Sequence, residues 1–487
     1  MLYFISYGFI YYFYYNEAKN DMASAIKHLF HHQHRDIDMT EGSIPSLLIR
    51  FAIPMLIGNL FQQLYNTVDS WVVGNYVGQS AFAAVGSVGP ILNTAIGFFS
   101  GFATGAGVVI GQFAGAKDEK RLSDAVQTTI LVTLILSIVF TALCTLTVPG
   151  MIDIMKMPDA SESNIRAEAS LYLRIYFLGM TGLMLYNIGA GILRAIGNSE
   201  IPLYALIISA LTNIVLDLAF VRGLGMGTDG VALATVIAQA GSALFILIYL
   251  THSKAPYRII WHRLRIDGAI LRKIIRIGIP TAIQLAITAF SNVFVQSYIN
   301  AFGDDCIAGW SAYNKIDAFA MLPMQSISLA VTTFVSQNYG AGQPQRSRRG
   351  AMVGILISCA ITIILIIPIM IFSNGLVAFL NSEGETVKFG SLFLRFISPF
   401  YLLCIFNQII AGVLRGAGES RAPMLIMLGS FVAFRQLYLF TLSRLSDSVF
   451  VITFAYPAGW AVCSLLMFLY YKLAPWEKHY LETAKEQ

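Results

Sequence analysis

Apolar runs of about twenty residues, closed by glycine, proline or charge, recur along the chain and predict twelve helices. They begin near residues 46, 81, 124, 168, 201, 228, 269, 306, 348, 388, 422 and 448. A bilayer's hydrocarbon core takes roughly 20 helical residues to cross, so the pattern predicts an all-α polytopic membrane protein. The pattern also repeats. "IRFAIP" at 49–54 returns as "IRIGIP" at 275–280, "GQFAGA" at 111 as "SQNYGA" at 336, and "GILRAIGNSEIP" at 191 as "GVLRGAGESRAP" at 412. Even the lone arginines of "SLYLRIY" and "SLFLRFI", Arg174 and Arg395, follow this register. Motif pairs in one order at nearly one spacing define two homologous six-helix lobes, 39–251 and 269–475, joined by a loop at 252–268 and followed by a tail at 476–487. With an even number of spans in each, the lobes are parallel repeats, an arrangement that places a binding cavity between them. Duplication that merely enlarges a bundle, as in a channel or a membrane enzyme, is the alternative.

Charge fixes an orientation. The chain of 487 residues is 56% hydrophobic and 12% charged, with net charge +5. Its basic residues gather in alternate loops: Lys117, Lys120 and Arg121; Arg194; Lys254 to Lys273; Arg346, Arg348 and Arg349; Arg415 and Arg421. That asymmetry puts both termini and the 252–268 loop in the cytoplasm and reads as topology, not as nucleic-acid binding. Five scattered cysteines, Cys144, Cys306, Cys359, Cys404 and Cys463, imply neither disulfides nor a metal site. His28, His31, His32 and His34 sit in an aromatic-rich stretch without a ligand framework, and residues 1–38 read as a disordered or artefactual extension ahead of Met39.

The spans themselves carry a few polar groups. In "ALTNIVLDLAFV", span 5, Asn213 and Asp217 are four residues apart and share one helix face. Span 1 has Tyr65 and Asp69 at the same spacing, and Thr235 of span 6 falls at a comparable depth. A carboxylate inside the bilayer costs several kcal/mol unless it faces protein or water, so such groups mark ion or substrate paths by default. Two close acids hold a shared proton, or a transient Na⁺ at Asp69 and Asp217, and no resident metal or other cofactor is expected. Structural acceptors at a wet helix end are the alternative. In the second half, Asp317 and Arg435 suggest a buried ion pair, with Tyr313 and Gln284 as further candidates for a cavity or polar network. Pro54 and Pro280, at matching places in spans 1 and 7, permit bends and are assigned as hinges.

"MTEGSIPSLLIRFAIPMLIGNLFQQLYNTVDSWVVGNYVG", "GQFAGAKD", "ILRAIGNSEIPLY" and "ALTNIVLDLAFV" resemble the multidrug and toxic compound extrusion (MATE) transporters, particularly the MepA-like bacterial subgroup. The resemblance covers about residues 39 to 475. It implies a V of two six-helix lobes and a non-enzymatic antiporter of the bacterial inner membrane, exporting organic cations in exchange for H⁺ or Na⁺ and working as a monomer among lipids. By motif it assigns the coupling cation to Asp69, Tyr65, Asn213, Asp217 and Thr235. Another branch uses a glutamate in span 7, where "IPTAIQLAITAFSNVFVQS" has no acid. Rival readings are a lipid-linked saccharide flippase, which calls for several cavity-facing bases, and a membrane enzyme, which calls for clustered aspartates.

Overall fold

The computed structural model describes residues 36–155, 164–446 and 448–474; the four histidines, the extension up to residue 35 and the tail at 476–487 lie outside them. Eleven helices among these residues are long and apolar enough to span: α1 (Ile44–Val77), α2 (Gln79–Gly115), α3 (Glu119–Asp153), α5 (Glu200–Gly223), α6 (Thr228–His252), α7 (Gly268–Asn300), α8 (Asp304–Gly340), α9 (Pro344–Ile371), α10 (Gly384–Gly416), α11 (Arg421–Leu442) and α12 (Val449–Leu473). The twelfth, α4, is a pair, Ile165–Leu178 and Met180–Ala195, bent by 48°. Its break at Gly179 recurs in α10, whose helix tightens to a 3₁₀ turn at Ser398–Phe400. The internal repeat therefore extends to the irregularities. Gly197 and Gly418, 221 positions apart in the repeated turn, both adopt φ +92°, a left-handed conformation that side chains with a Cβ avoid.

Lipid supplies no hydrogen bonds, so backbone groups must be satisfied within each span. Hydroxyls on the spans follow the same rule by turning back on their own helix, as Thr104 does onto Ser100 O (2.8 Å) and Thr133 onto Thr129 O (2.7 Å). The 252–268 loop is strapped to α3 by side chains. Gln127 donates to Arg258 O (2.8 Å) and accepts from Ile260 N–H (3.1 Å), while Asp267 N–H donates to Thr128 Oγ1 (3.0 Å).

The two lobes exchange parts of their first helices. Leu48, Phe51, Ala52 and Met55 at the start of α1 lie in the core of the second lobe, together with Phe334, Val335 and Ala351. Ile270, Ile274 and Ile277 at the start of α7 lie reciprocally in the core of the first. Pro54 and Pro280 sit where each helix passes back into its own lobe, and both helices run through them unbroken.

α2 and α7 form the seam. Gly97, Gly101 and Gly105 recur every fourth residue facing Leu285, Ala282 and Gly278, so close that a Cβ on Gly105 would lie 2.2 Å from Gly278 Cα. Close backbone approach over small residues is how helices pack where no hydrophobic force separates them from lipid. The seam continues to the end of the bundle that carries the basic loops, called here the basic end. There Ile37 and Asp38, which the sequence assigns to the extension, belong to the body: Ile37 N–H donates to Gly197 O at 3.2 Å, and Asp38 stands 3.9 Å from Lys117.

Candidate functional site

At the end of the bundle away from the basic loops the lobes part. Among the described residues, hydrogen bonds crossing between them lie between the level of Asn59 and Ser326 (3.5 Å) and the basic end. From that side a cavity of about 560 Å³ runs from Val73 and Phe82 past Asn59 to Thr104 and Arg194, with Leu329 of α8 as its contribution from the second lobe.

Asp69 lines this cavity, as do Tyr65 and Thr235. The four-residue spacing on α1 puts Tyr65 and Asp69 on its inner face, and the same spacing on α5 aims Asn213 and Asp217 toward them. The two carboxyl groups face each other with Asn213 and Thr235 alongside. All five residues assigned from the sequence are thus gathered at one place. Asp217 is fully buried, Asn213 nearly so, and Asn213 Nδ2 donates to Thr235 Oγ1 at 3.5 Å while that hydroxyl donates to Val231 O at 3.0 Å. The hydroxyl hydrogen of Thr235 is thus spent on backbone, and one of the two amide hydrogens of Asn213 on Thr235. Asp69 Oδ1, both oxygens of Asp217 and Asn213 Oδ1 are buried without a hydrogen-bond partner among the described residues. α5 changes to a π-turn at Leu218–Gly223 directly after Asp217, a distortion that recurs at functional sites.

Opposed acids, three of whose oxygens are buried without a partner among the described residues, form a site for a positive charge. Either a proton shared by the pair or a small cation held by carboxylate, amide and hydroxyl oxygens satisfies that need. Among the described residues no group of three or more His, Cys, Asp or Glu forms a metal cluster.

The sequence reading missed part of the surroundings. Tyr172 and Tyr176 of α4 stack 6.2 Å apart behind the acids, and Gln239 Nε2 donates to Tyr176 OH at 3.2 Å. The four-residue spacing in "LYLRIY" was their signal, obscured because tyrosines at helical spacing usually mark ordinary packing.

The proposed ion pair of the second lobe does not form. Asp317 accepts from Tyr401 OH (2.5 Å) and Tyr313 OH (3.2 Å), whereas Arg435 donates to Ser291 Oγ (3.0 Å) and Asn292 Oδ1 (2.9 Å). Tyr456 and Trp310 stand between these groups: Arg435 lies 4.8 Å from the Tyr456 ring, which packs on Trp310, which packs on Tyr313. Charge alone in a sequence does not reveal interposed rings. Gln284 reaches α11, its Nε2 2.9 Å from Met427 Sδ, and none of Asp317, Arg435, Tyr313 and Gln284 lines the cavity.

The MatE family model matches residues 54–219 and again 280–437, one match to each lobe. The chain is 30% identical to the probable multidrug resistance protein YoeA of Bacillus subtilis, over 88% of this chain and 93% of that one. It is 23% identical to the multidrug export protein MepA of Staphylococcus haemolyticus, over 89% and 94%. Among solved structures, a crystal structure of MATE in complex with MaL6 superposes with TM-score 0.84 at 22% identity, covering 93% of this chain and all of the other. An outward-facing multidrug resistance MATE transporter superposes at 0.81 with 23% identity, covering 93% of this chain and 99% of that one.

Proposed function

Since the chain belongs to the MatE family of multidrug efflux transporters, we propose that it is an antiporter expelling organic cations from a bacterial cell in exchange for H⁺ or Na⁺, coupled at Asp69 and Asp217. The observation that supports the coupling is the facing pair of carboxyl groups, three of whose oxygens, with Asn213 Oδ1 beside them, are buried without a hydrogen-bond partner among the described residues. The positive-inside rule places the basic end in the cytoplasm, so the cavity opens outward. A proton or Na⁺ entering from outside neutralises the acid pair. α1, held at its inner end by the second lobe and at its outer end by the first, then shifts about Pro54 and displaces the bound organic cation outward. Return of the ionised pair toward the cytoplasm restores affinity for the next cation. One ion inward for one monovalent organic cation outward moves no net charge, so the ion's own concentration gradient drives the exchange; each further ion taken up per cycle adds ~2.3 kcal/mol per 100 mV.

The deciding experiment is efflux of an organic cation from proteoliposomes under separately imposed proton and sodium gradients. Wild type should respond to one of them, and Asp69→Asn and Asp217→Asn to neither. Undiminished ion-driven transport in both variants sinks the assignment. Lipid flipping without cation export would favour the flippase, against which stands the scarcity of bases on the cavity wall, where Arg194 is the arginine present.

A further inference from the structure

The internal repeat has a consequence at the coupling site itself. The shift relating α1 to α7 is 226 positions and carries Tyr65 onto Ser291 and Asp69 onto Val295. The shift relating α6 to α12 is 221 and carries Thr235 onto Tyr456. α11 contains a π-turn at Gly429–Phe434, before the matching position, whereas the π-turn of α5 comes after Asp217. A π-turn adds one residue, so the shift of 221 becomes 222 beyond it and carries Asn213 onto Arg435 and Asp217 onto Leu439.

The three-dimensional contacts agree with that register. Ser291, Arg435 and Tyr456 meet, from the helices that correspond to those bringing together Tyr65, Asn213 and Thr235. Both acids of the first lobe are replaced by fully buried aliphatics, Val295 and Leu439. A guanidinium, 4% exposed, takes the place of the amide. Its ligands are a serine hydroxyl, an asparagine carbonyl and the face of a tyrosine, the neutral oxygen and ring donors that suit a cation. No carboxylate lies within ion-pair distance of it among the described residues.

We propose that Arg435 is a built-in cation that permanently fills the second lobe's copy of the coupling site. α7 is thereby pinned to α11 and α12 at all times, while α1 is tied to α5 and α6 only when an ion from solution is present. One duplicated site exchanges and the other is locked, so ion binding moves a single lobe. This rests on the coupling role of Asp69 and Asp217.

The test uses the full-length protein in proteoliposomes exporting ethidium, as wild type, Arg435→Ala and Arg435→Lys, with and without guanidinium chloride. Arg435→Ala should lose at least about tenfold in export, the scale of leaving the buried Ser291 hydroxyl and the Asn292 carbonyl without this donor. Added guanidinium should restore it and leave wild type unchanged, and Arg435→Lys should keep most activity. Wild-type export by Arg435→Ala, or failure of both guanidinium and lysine to support export, overturns the proposal. A second measurement does not depend on an alanine variant folding. The Asp69→Asn/Asp217→Asn double variant, which keeps Arg435, should show neither ²²Na⁺ binding nor proton release on adding substrate, and residual exchange of either ion also overturns it. A wild type indifferent to both gradients refutes the coupling reading instead.

Discussion

Gln112 and Gln337, 225 positions apart, cross the basic end of the lobe interface in opposite directions. Gln112 Nε2 donates to Gly416 O at 3.2 Å, and Gln337 Nε2 donates to Ala195 O at 2.8 Å. Each thus reaches the carbonyl ending the other lobe's fourth helix, and those two carbonyls are themselves 221 positions apart. Gln337 does more than its counterpart, because its Oε1 accepts the N–H of the fully buried Met39 at 2.9 Å. Asn338 and Arg346 donate to the same short peptide, at Met39 O (2.9 Å) and Gly42 O (2.9 Å).

These contacts exist only while the basic end is shut, so weakening them should favour opening there. Gln112→Ala removes one bond, for which ~0.5–1.5 kcal/mol is typical, and Gln337→Ala should shift the balance further because it also orphans a buried N–H. Labelling of cysteines introduced along the inner seam, for example at Ser336, measures this. Labelling should rise from wild type to Gln112→Ala to Gln337→Ala; an unchanged rate in both would show that the glutamines do not hold the closure.

The glycine seam gives a second prediction. A methyl on Gly105 meets Gly278 Cα at 2.2 Å, and one on Gly101 meets Ala282 Cα at 2.4 Å, in both cases backbone that cannot swing aside. Gly105→Ala should lower stability by ~1–3 kcal/mol, the usual range for overpacking, and impair export. Gly86→Ala, where nothing lies within 4 Å, is the matched control and should be neutral or slightly stabilising. Melting temperatures in detergent compare the two. Equal melting temperatures would mean that the seam is looser than the geometry indicates.

Much of this architecture is legible in the sequence, for a physical reason. Lipid forbids stray polar groups, so Asp69, Asp217 and Asn213 stand out against an apolar background, and the duplication fixes how the spans correspond. The bridging glutamines do not stand out, although "GQFAGA" and "SQNYGA" are visible as a repeat, because their partners are backbone carbonyls with no sequence signature. The exchange of α1 and α7 between the lobes is hidden for a similar reason: Phe51 and Ile274 are simply apolar, and nothing in an apolar side chain says which core receives it. Asp317 and Arg435 look like partners until the rings of Tyr456 and Trp310 are seen between them.

Ion binding should be measurable without transport. A ligand that binds only the folded protein stabilises it by RT ln(1 + [L]/Kd), ~2.7 kcal/mol at a hundredfold excess over Kd. If Na⁺ is the coupling ion, adding it in place of choline should raise the melting temperature of wild type and leave Asp217→Asn unmoved. Asp217→Asn should be at least as stable as wild type in sodium-free solution, since it removes one of two facing acids and the one whose two oxygens are both buried without a partner among the described residues. A sodium-induced rise of equal size in both proteins would place the ion elsewhere.

The strap between the lobes separates backbone satisfaction from surface charge. Gln127 is 3% exposed and serves two backbone groups of the loop, Arg258 O and Ile260 N–H. Asp124, on the same helix, pairs at 2.7 Å with Arg265, whose side chain is mostly in solvent. Truncating Gln127 strands a part-buried donor and a part-buried acceptor, at up to ~1–3 kcal/mol for each unsatisfied group, whereas an exposed pair contributes ~0–1 kcal/mol. Gln127→Ala should therefore lower the melting temperature clearly and expose the 253–267 segment to protease. Asp124→Ala should do neither, and the difference should persist in high salt, which screens only the ion pair. Equal effects of the two variants, or a Gln127→Ala loop as protease-resistant as wild type, would mean that the loop is held by its apolar contacts, chiefly Tyr257 and Ile259 in the first lobe's core.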